Sequence, residues 1–538
     1  MTAAGNVPPA HTGLCWYAMQ KLPGLLDAFT REIAGVKEGQ DIEYIHRMRV
    51  ASRRLRAALP LFRICFTDNQ YKKWLQEITR ITRALGDARD ADVQISFLQK
   101  TLRKIQKEPG LQEKRMAADQ PSREPAIRFL LQALQKKRII LQKHVLSAID
   151  GLEKSHVTDE MHLVLTTMDA DFRSARKRPG MPGIPPVAAL RIGKRLSVLL
   201  SYEPWVLHPE AVAEHHATRI AAKKLRYTME IYGSVYRNNL AKPLARVKKI
   251  QEILGDIHDC DVWIDQITTL LLRERTILRS GKGTKRPDTT TLASLRLLLH
   301  DRETERRHRY RQFVRYWQAL ARARLWDELR LTLDTGRKTG FRPPQPYRDD
   351  EAAGAVDSLA AGSPGTRSHC LHVTDLALML FDALQPLHAL GTHDRFLLHC
   401  AGTLHDIGWK YGRSGHNTRG AEMVFLDGSL PFDLEERGTL AFIIQSHRGK
   451  VQISASPYLA FVSLENRKRA LSLAAILRVA DGLDYPHTGS VREIHCILSA
   501  DAVTCTLTGT GDITVEKEHA QEKSDLFCQV FDRPLVIR

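Results

Sequence analysis

The spacing of apolar residues predicts a chain built mainly from helices. Apolar positions recur every three to four residues up to about residue 335, which is the period of an amphipathic helix. Three segments rich in Gly, Pro and polar residues interrupt this period and predict loops between long helices: 107–125, 178–186 and 279–291. The helical period returns over residues 367–488.

Composition divides the chain into two domains. Residues 335–366 are rich in Gly, Pro and small residues, which is typical of a linker. We therefore predict a first domain over 1–335, a linker over 336–366 and a helical second domain over 367–488. The short runs IHCILSA, VTCTLTG and PLVIR predict strands, and hence a small β-containing tail over 489–538.

The first domain contains an internal repeat. IHRMRVASRRLRAALPLF (45–62) aligns with HHATRIAAKKLRYTMEIY (215–232) at a constant offset. LGDARDADV (85–93) aligns with LGDIHDCDV (254–262) after a shift of one residue. Two copies of one helical unit are therefore predicted. Their expected extents are about 10–150 and about 185–330.

The net positive charge is concentrated in the first domain. Residues 1–335 hold 59 Lys and Arg against 37 Asp and Glu, a net charge of +22. Residues 336–538 hold 21 against 24, a net charge of −3. A positive field attracts polyanions, so nucleic acid, polyphosphate and anionic membrane surfaces all remain open as partners.

The repeated segments carry a stripe of cations. Its two copies are formed by His46, Arg49, Arg53 and Arg56 and by His216, Arg219, Lys223 and Arg226. On a helix the four residues of a copy fall within an arc of roughly 80°, beside the apolar face that holds Leu55 or Leu225. Like charges three and four residues apart destabilise a helix, so a bound polyanion is expected to neutralise them. The alternative is that they only solvate a helix face.

The pattern HxxRVxxRRLR, with LGDxxDxDV about thirty residues downstream, resembles the CHAD family, the conserved histidine α-helical domain, over roughly residues 10–330. The resemblance implies a pair of pseudo-symmetric four-helix bundles around a basic pore or groove that binds inorganic polyphosphate. It makes the stripe residues the binding residues. Arg54 and Lys224 fall outside the arc and are weaker candidates.

Each repeat also carries three aspartates, which are Asp87, Asp90 and Asp92 and then Asp256, Asp259 and Asp261. A metal site is one interpretation. We favour a structural one, because each run follows a glycine at a helix-ending signal: the first aspartate caps a helix and the others pair with the stripe arginines. The sequence lacks the ExExK strand motif of a triphosphate-hydrolysing tunnel domain. The first domain is therefore predicted to bind rather than to catalyse.

The second domain carries an ordered set of histidines and aspartates. His405 and Asp406 lie in AGTLHDIGWK, His369 lies in SHCLHVTDL, and Asp481 lies in AAILRVADGLD. This order resembles the HD-domain phosphohydrolases, and it implies a metal quartet of these four residues with His405 and Asp406 as the catalytic pair. Imidazole and carboxylate ligands suit Mn, Fe, Ni or Zn better than Ca. The alternative for His369 or His372 is a core histidine.

Two further histidines fit the HD domains that hold a second metal, namely His416 in GHNTRGAEMV and His447 in IIQSHRGK. An active site of this kind would hydrolyse a phosphoester or phosphoanhydride with the help of the metal. The cations that are candidates to neutralise the substrate phosphate are Arg413, Arg419, Arg448 and Lys450.

Residues 367–538 are also similar to the C-terminal part of the exopolyphosphatase/guanosine-pentaphosphate phosphohydrolase family, through HDIGW, SGH, SHR and the tail LFCQVFDRPLVIR. Catalysis in that family belongs to an N-terminal actin-like domain, and this chain has the CHAD-like segment in its place. The sequence has Asn417 and Arg419 where relatives show further histidines. It has Trp409 before Lys410 where many HD enzymes read HDIGK.

The eight cysteines are scattered and form no CxxC pair, so we predict buried thiols of a reducing cytoplasm rather than disulfides or zinc ligands. No run of about 18 uncharged apolar residues and no N-terminal leader is found. We therefore expect a cytoplasmic protein that contacts no membrane and associates with polyphosphate granules.

These patterns predict a mainly α protein that binds inorganic polyphosphate and carries a metal-dependent HD phosphohydrolase domain with one or two divalent transition metals. Its HD substrate is predicted to be polyphosphate or a phosphorylated nucleotide. The alternative function is a non-enzymatic polyphosphate-granule binding or scaffold protein with a structural or vestigial HD domain. Nucleic acid is disfavoured, because few aromatic residues accompany the basic stripe.

Overall fold

The computed structural model of the chain confirms that the protein is mainly α-helical. It describes most of the 538 residues. The described ranges are 12–39, 41–107, 122–174, 184–237, 239–280, 288–335, 349–451, 453 and 456–538. The predicted loops at 107–125, 178–186 and 279–291 fall largely outside these ranges. No described helix is long and apolar enough to cross a membrane.

The described part of the first 335 residues forms mainly long helices, with three short 3-10 turns. In chain order the helices are α1 (Thr12–Thr30), α2 (Ile33–Glu38), α3 (Ile42–Ala58), α4 (Asp68–Gln106), α5 (Glu124–Ser155), α6 (Val157–Ser174), α7 (Ile184–Leu200), α8 (Val212–Tyr232), α9 (Ala241–Ser280), α10 (Thr289–Arg322) and α11 (Leu325–Thr335). The 3-10 turns span Leu59–Cys65, Glu203–Leu207 and Gly233–Tyr236.

Contacts divide the chain into two compact units. Unit 1 comprises Met1–Ile184, Tyr202–Ser234 and Leu240–Ala323. Within it α4 packs along α3 and α5, and α9 packs along α8 and α10, so the two repeated segments make the same helix pairs. Unit 2 comprises Pro185–Ser201, Val235–Asn239 and Arg324–Arg538. Helices α7 and α11, which we predict as part of the first domain, therefore group with unit 2.

The repeated motif segments form helices because apolar residues line one side of each. Met48 and Leu55 on α3, and Leu225 and Met229 on α8, are fully buried. At the start of α3, the side chain of Asp41 accepts a hydrogen bond from the Glu43 amide. The cation stripe lies beside this buried side, as the periodicity predicts.

The prediction that Asp87 and Asp256 cap helices is wrong. Gly86 and Gly255 lie inside α4 and α9, and these helices are 39 and 40 residues long in total. A glycine weakens a helix by only about 1 kcal/mol, so packing along such long helices overrides it. A Cβ at Gly86 would lie 3.8 Å from Nε of Arg49, so the glycine leaves room for the Arg49 guanidinium.

Unit 2 also contains the second domain and its tail. Its further helices are α12 (Asp349–Ala360), α13 (Arg367–Ala383), α14 (Gln385–His388), α15 (Thr392–Leu404), α16 (His416–Leu426), α17 (Leu434–Ser446), α18 (Leu464–Gly482), α19 (Thr514–Glu522) and α20 (Asp525–Phe531). Two 3-10 turns span Pro364–Thr366 and Ile407–Tyr411. Helix α12 falls in the predicted linker, and its Ala352 and Val356 are fully buried.

The tail contains a three-stranded sheet, as the runs of apolar and β-branched residues predict. Its strands are β1 (Val491–Leu498), β2 (Val503–Gly509) and β3 (Leu535–Ile537). β1 pairs with β2 antiparallel, and β2 pairs with β3 parallel. Helices α19 and α20 lie between β2 and β3 in sequence and pack on α18.

The prediction that all cysteines are unpaired thiols is wrong for two of them. Cys15 on α1 and Cys65 at the end of a 3-10 turn form a disulfide, with their Cα atoms 5.3 Å apart. Sequence spacing gave no signal for this pair, because 50 residues separate its members. The cysteines that remain free are Cys260, Cys370, Cys400, Cys496, Cys505 and Cys528.

Reducing the Cys15–Cys65 disulfide is expected to lower the free energy of unfolding by about 2–4 kcal/mol, because the bond closes a long loop in the unfolded chain. Denaturant unfolding with and without dithiothreitol measures the difference. The Cys15→Ala/Cys65→Ala double variant is the control and should not respond to the reductant. A wild type that is equally stable under both conditions would contradict the prediction.

Candidate polyanion cavity and candidate metal centre

Unit 1 contains a cavity of about 620 Å³ whose wall carries cations from both repeats. Four of the eight predicted binding residues line it: Arg49 and Arg53 from α3, and Arg219 and Lys223 from α8. The motif aspartates Asp90, Asp256 and Asp259 line it too, with Phe97, His258, Trp263, Arg302, Glu305 and Arg309. The two copies of the stripe therefore share one cavity, as a pseudo-symmetric pair of repeats predicts.

The cavity holds more positive charge than its carboxylates neutralise. Arg49 pairs with Asp90 at 2.8 Å. In the part of the chain that the structure describes, Arg53, Arg219 and Lys223 form no ion pair with a carboxylate, and the buried Nε of Arg53 has no hydrogen-bond partner. Burial and the neighbouring Arg53 and Arg219 lower the pKa of Lys223 to about 7. This cavity therefore favours an anion.

The prediction that the motif aspartates pair with the stripe arginines holds for Asp90, and it is wrong for Asp92 and Asp261, which pair with arginines outside the stripe. Asp92 accepts a hydrogen bond from Arg138 of α5 at 2.7 Å. At the matching positions of the second repeat, Asp261 accepts one from Arg306 of α10 at 2.5 Å. The two repeats thus use the same aspartate to tie α4 to α5 and α9 to α10. Asp259 faces Arg219 electrostatically, although burial raises its pKa.

The other four predicted binding residues lie beside the cavity rather than in its wall. Nδ1 of His216 is 3.2 Å from Nδ1 of His258, which does line the cavity. Arg226 pairs with Glu230 at 3.0 Å. His46 and Arg56, the two ends of the stripe on α3, are half-buried, and the charge of Arg56 helps to lower the pKa of Lys223. The weaker candidates Arg54 and Lys224 are exposed, as the arc predicts.

Sequence reasoning missed His258, Arg302 and Arg309 as cavity residues. His258 stands in the LGDIHDCD motif at the position where the first repeat has Arg89, so the alignment of the repeats was a usable signal. Arg302 and Arg309 lie on α10 outside both motifs. Arg302 lies over the ring of Phe97, with its Cζ 4.9 Å from the ring centroid.

Polyphosphate binding is expected to take up a proton just above neutral pH. In the free protein the pKa of Lys223 is about 7, so the side chain is largely neutral above that pH. A bound phosphate favours the charged form and raises this pKa, so affinity should fall as pH rises from about 7 to about 9. Calorimetry in buffers of different ionisation enthalpy counts the proton. Lys223→Arg, which stays charged, should lose the uptake; equal uptake in both proteins would contradict the assignment.

Six buried histidines and aspartates in the described part of unit 2, all of them able to bind a metal, form two groups of three. The first consists of His369 on α13, His405 at the end of α15 and Asp481 near the end of α18. Nε2 of His369 lies 3.4 Å from Nε2 of His405 and 3.4 Å from Oδ1 of Asp481. Nε2 of His405 lies 3.6 Å from the same oxygen.

The second group consists of Asp406, His416 and His447. Oδ1 of Asp406 lies 3.1 Å from Nε2 of His416 and 3.7 Å from Nε2 of His447. Oδ2 of the same carboxylate lies 4.0 Å from Nε2 of His369, in the first group. Oδ1 also lies 3.9 Å from Nε2 of His405, so the carboxylate of Asp406 stands between the two groups.

Gly408 brings these elements together. A Cβ at Gly408 would lie 2.0 Å from the carbonyl oxygen of His416, so a larger residue would push the 3-10 turn after Asp406 away from α16. This close contact explains the glycine in HDIGW. It sets His416, the first residue of α16, beside Asp406.

The ring nitrogens leave the right atoms free for a metal. The Nδ1 atoms of His405, His416 and His447 lie 2.7–2.8 Å from the carbonyl oxygens of Gly402, Arg413 and Ile444. A carbonyl oxygen only accepts, so each Nδ1 donates a proton to it, and each Nε2 is the ring nitrogen that faces the other ligands. Nδ1 of His369 is held in the same way by Asp484, at 2.7 Å.

The donor set fits divalent transition ions. Ligands about 2.1 Å from one ion lie roughly 3.0–3.5 Å from each other, and the distances within both groups are close to that range. Although burial opposes it, His405 and His416 lower the pKa of Asp406, so the shared carboxylate is ionised. Burial lowers the pKa of His447 to about 3, so that ring is neutral. Neutral imidazole and ionised carboxylate are the forms that bind a metal. Hydrogen bonds to Asp481 and Asp484 raise the pKa of His369 against burial, and the Cys370 and Asp406 charges raise the pKa of His405, so metal binding must release protons from these two rings.

A small cavity of about 70 Å³ opens onto both groups. Two of the four predicted phosphate ligands, Arg413 and Arg448, line it. The other two do not: Arg419 donates to the carbonyl oxygen of Gly412, and Lys450 is exposed away from the cavity wall. His372 belongs to neither ligand group, so His369 is the metal candidate of that pair.

The sequence interpretation missed four residues at this centre. They are Asp484, Tyr485, His487 and Lys523. Asp484 orients His369, and the ring of His487 stacks on His369 with centroids 3.6 Å apart. A signal for the first three was present, because they lie within six residues of the predicted ligand Asp481, in the run DGLDYPH that begins with it. Lys523 lies 42 residues beyond Asp481 and had no such signal.

Comparison with known families shows that the chain contains two domains of known type. Residues 21–268 match the CHAD domain, and residues 366–485 match the HD domain. An HD domain indicates a metal-dependent hydrolase, and the two His/Asp groups are able to hold its metal.

The similar proteins are distant. Two proteins of Mycobacterium tuberculosis, Uncharacterized protein MT2285 and Uncharacterized protein Rv2226, are each 26% identical over 226 residues, which is 40% of this chain and 38% of theirs. The chain thus spans about two fifths of the length of these curated relatives. The crystal structure of the CHAD domain from the plant Ricinus communis is 24% identical, with a TM-score of 0.35, over 62% of this chain and 93% of that one.

Proposed function

We propose that this chain binds inorganic polyphosphate in the cavity of unit 1 and hydrolyses a phosphoanhydride or phosphoester bond at the metal centre of unit 2. The cluster of Arg53, Arg219 and Lys223, cations without carboxylate partners, supports the first half. The placement of Asp406 between two buried ligand groups supports the second.

Polyphosphate suits the cavity better than nucleic acid does. Its ligand atoms are phosphate oxygens alone, and the planar fork of arginine donates two hydrogen bonds to such oxygens. Single-stranded nucleic acid needs aromatic side chains free to stack on bases. Trp263 lines the cavity, but it is 5% exposed and packs in the hydrophobic core with Leu98 and Ile267, so it offers no such platform.

In the proposed hydrolase, His369, His405 and Asp481 would hold one ion, and Asp406, His416 and His447 would hold a second, with the Asp406 carboxylate placed near both. A bound Mn, Fe, Ni or Zn ion supplies Lewis-acid activation of the phosphoryl group and of the attacking water. The protein itself orients the ligands: backbone carbonyls hold the rings of His405, His416 and His447, and a carboxylate holds the ring of His369. Arg413 and Arg448 are placed to neutralise phosphate oxygens at the cavity wall.

The substrate of the metal centre is, in this proposal, polyphosphate or a phosphorylated nucleotide. The similarity of residues 367–538 to the exopolyphosphatase/guanosine-pentaphosphate phosphohydrolase family points to the same two substrate classes and stays a prediction. The cytoplasm and polyphosphate granules are the proposed place of action.

Two binding measurements test the proposal before any turnover is assayed. Titration of metal-free protein with Mn²⁺ should reveal two ions per chain. Long-chain polyphosphate should displace a fluorescent single-stranded DNA from the protein at matched salt, and DNA should not displace polyphosphate. A protein that prefers DNA overturns the binding half, and a protein that binds no Mn²⁺ overturns the hydrolase half.

A further inference from the structure

The C-terminal tail reaches the metal centre through one lysine. Lys523 directly follows α19, and its Nζ forms an ion pair with Oδ2 of Asp481. The other oxygen of that carboxylate faces His369 and His405. The match to the HD domain ends at residue 485, so this lysine comes from a segment beyond it.

The tail is held firmly at this place. A Cβ at Gly482 would lie 2.7 Å from the Cα of Ala520, so α19 packs directly on the end of α18. Nε of Arg478 donates to Asp525 at 2.7 Å. Both contacts lie within five residues of Asp481 or Lys523 along the chain, and they fix the position of the lysine relative to the metal ligands.

Lys523 differs from the other cations of the small cavity. Arg413 and Arg448, which also line it, are exposed to solvent. The side chain of Lys523 is 16% exposed. The residue after Gly408 in the HDIGW motif is Trp409, which lines the cavity and carries no charge. Among the described lysines and arginines that line this cavity, Lys523 is therefore the least exposed.

We propose that Lys523 binds a nonbridging oxygen of the substrate phosphate, so that the tail completes the phosphate site of the metal centre. An ammonium has three donors, and among the described residues Lys523 has Asp481 as its hydrogen-bond partner. The remaining donors are available to a phosphate in the cavity. The ion pair with Asp481 holds the ammonium at the cavity wall. This inference rests on the proposed hydrolase function.

The test uses the full chain and two probes, Mn²⁺ alone and inorganic phosphate added to Mn²⁺-loaded protein. Calorimetry measures both affinities for the wild type, Lys523→Met, Lys523→Arg and the control Lys468→Met, an exposed lysine on α18. Lys523→Met is expected to bind phosphate about 10- to 100-fold more weakly, because it loses a charge-assisted hydrogen bond. Its Mn²⁺ affinity is expected to be equal to that of the wild type or higher, because the variant loses a positive charge that competes with the ion for Asp481. Lys523→Arg should recover most of the phosphate affinity.

The outcomes separate this inference from the function on which it rests. Unchanged phosphate affinity in Lys523→Met overturns the proposal. So does loss of Mn²⁺ from Lys523→Met, since Lys523 would then act only by positioning Asp481. A wild type that binds Mn²⁺ but neither binds phosphate nor releases it from polyphosphate or nucleotides overturns the hydrolase function itself.

Discussion

Replacing Asp406 with alanine is expected to abolish metal-dependent phosphate release, with a loss of at least about 1000-fold in kcat. The reason is its position. One carboxylate oxygen lies 3.1 Å from His416 in one ligand group, and the other lies 4.0 Å from His369 in the other group. A single substitution therefore removes a ligand from both groups. No other residue of the centre stands in this relation within the described chain.

The Asp406→Ala variant should bind less than one Mn²⁺ ion per chain while keeping its affinity for polyphosphate, because the binding cavity lies in unit 1. Asp375→Ala is the matched control, since Asp375 is an exposed aspartate on α13. It should behave like the wild type in all three assays. Retained Mn²⁺-dependent hydrolysis in Asp406→Ala would show that the chemistry takes place elsewhere.

Reversing the charge of Lys223 is expected to weaken polyphosphate binding by about 100-fold or more. Lys223→Glu removes a hydrogen-bond donor to phosphate. It also sets a carboxylate beside Arg53 and Arg219, where it competes with polyphosphate for these arginines. The neighbouring lysine provides a control with the same change of charge. Lys224 is exposed, so water and salt screen Lys224→Glu, and its effect should be about threefold or less.

The free energy of unfolding of Lys223→Glu distinguishes a loss of binding from misfolding. Within the described chain, Arg53 and Arg219 beside Lys223 form no ion pair with a carboxylate, so a glutamate there should leave the free energy of unfolding equal to or above that of the wild type. Weak binding by a protein of undiminished stability supports the assignment of the cavity. Equal losses in Lys223→Glu and Lys224→Glu would mean that the whole basic surface, and not the cavity, attracts polyphosphate.

The regular part of this fold was predictable because helices repeat every 3.6 residues. That period places Arg49 with Arg53 and Arg219 with Lys223 on one side of α3 and α8, and the internal repeat implies that the two sides meet. It also separates Lys223 from Lys224. In unit 2 the order of His369, the His405-Asp406 pair and Asp481 was informative, because it matches the order of the motifs in HD-domain phosphohydrolases.

The contacts that sequence reasoning missed are those between distant segments. Nothing local relates Cys15 to Cys65 or Asp481 to Lys523, since such pairs depend on how whole helices pack. The glycines before Asp87 and Asp256 were misleading for a different reason: a helix-breaking residue is decisive only where packing does not continue the helix. In the predicted linker, proline and glycine outside α12 concealed the alanine-rich run that forms it.

Phosphate release from long-chain polyphosphate, with and without Mn²⁺, tests the central claim most directly. The two-part account predicts that the wild type binds polyphosphate and releases phosphate only with the metal, while Asp406→Ala binds and releases none. If both proteins bind polyphosphate and neither releases phosphate from it or from phosphorylated nucleotides, the hydrolase half is contradicted. The chain would then act as a polyphosphate-binding or scaffold protein whose HD domain only supports the fold.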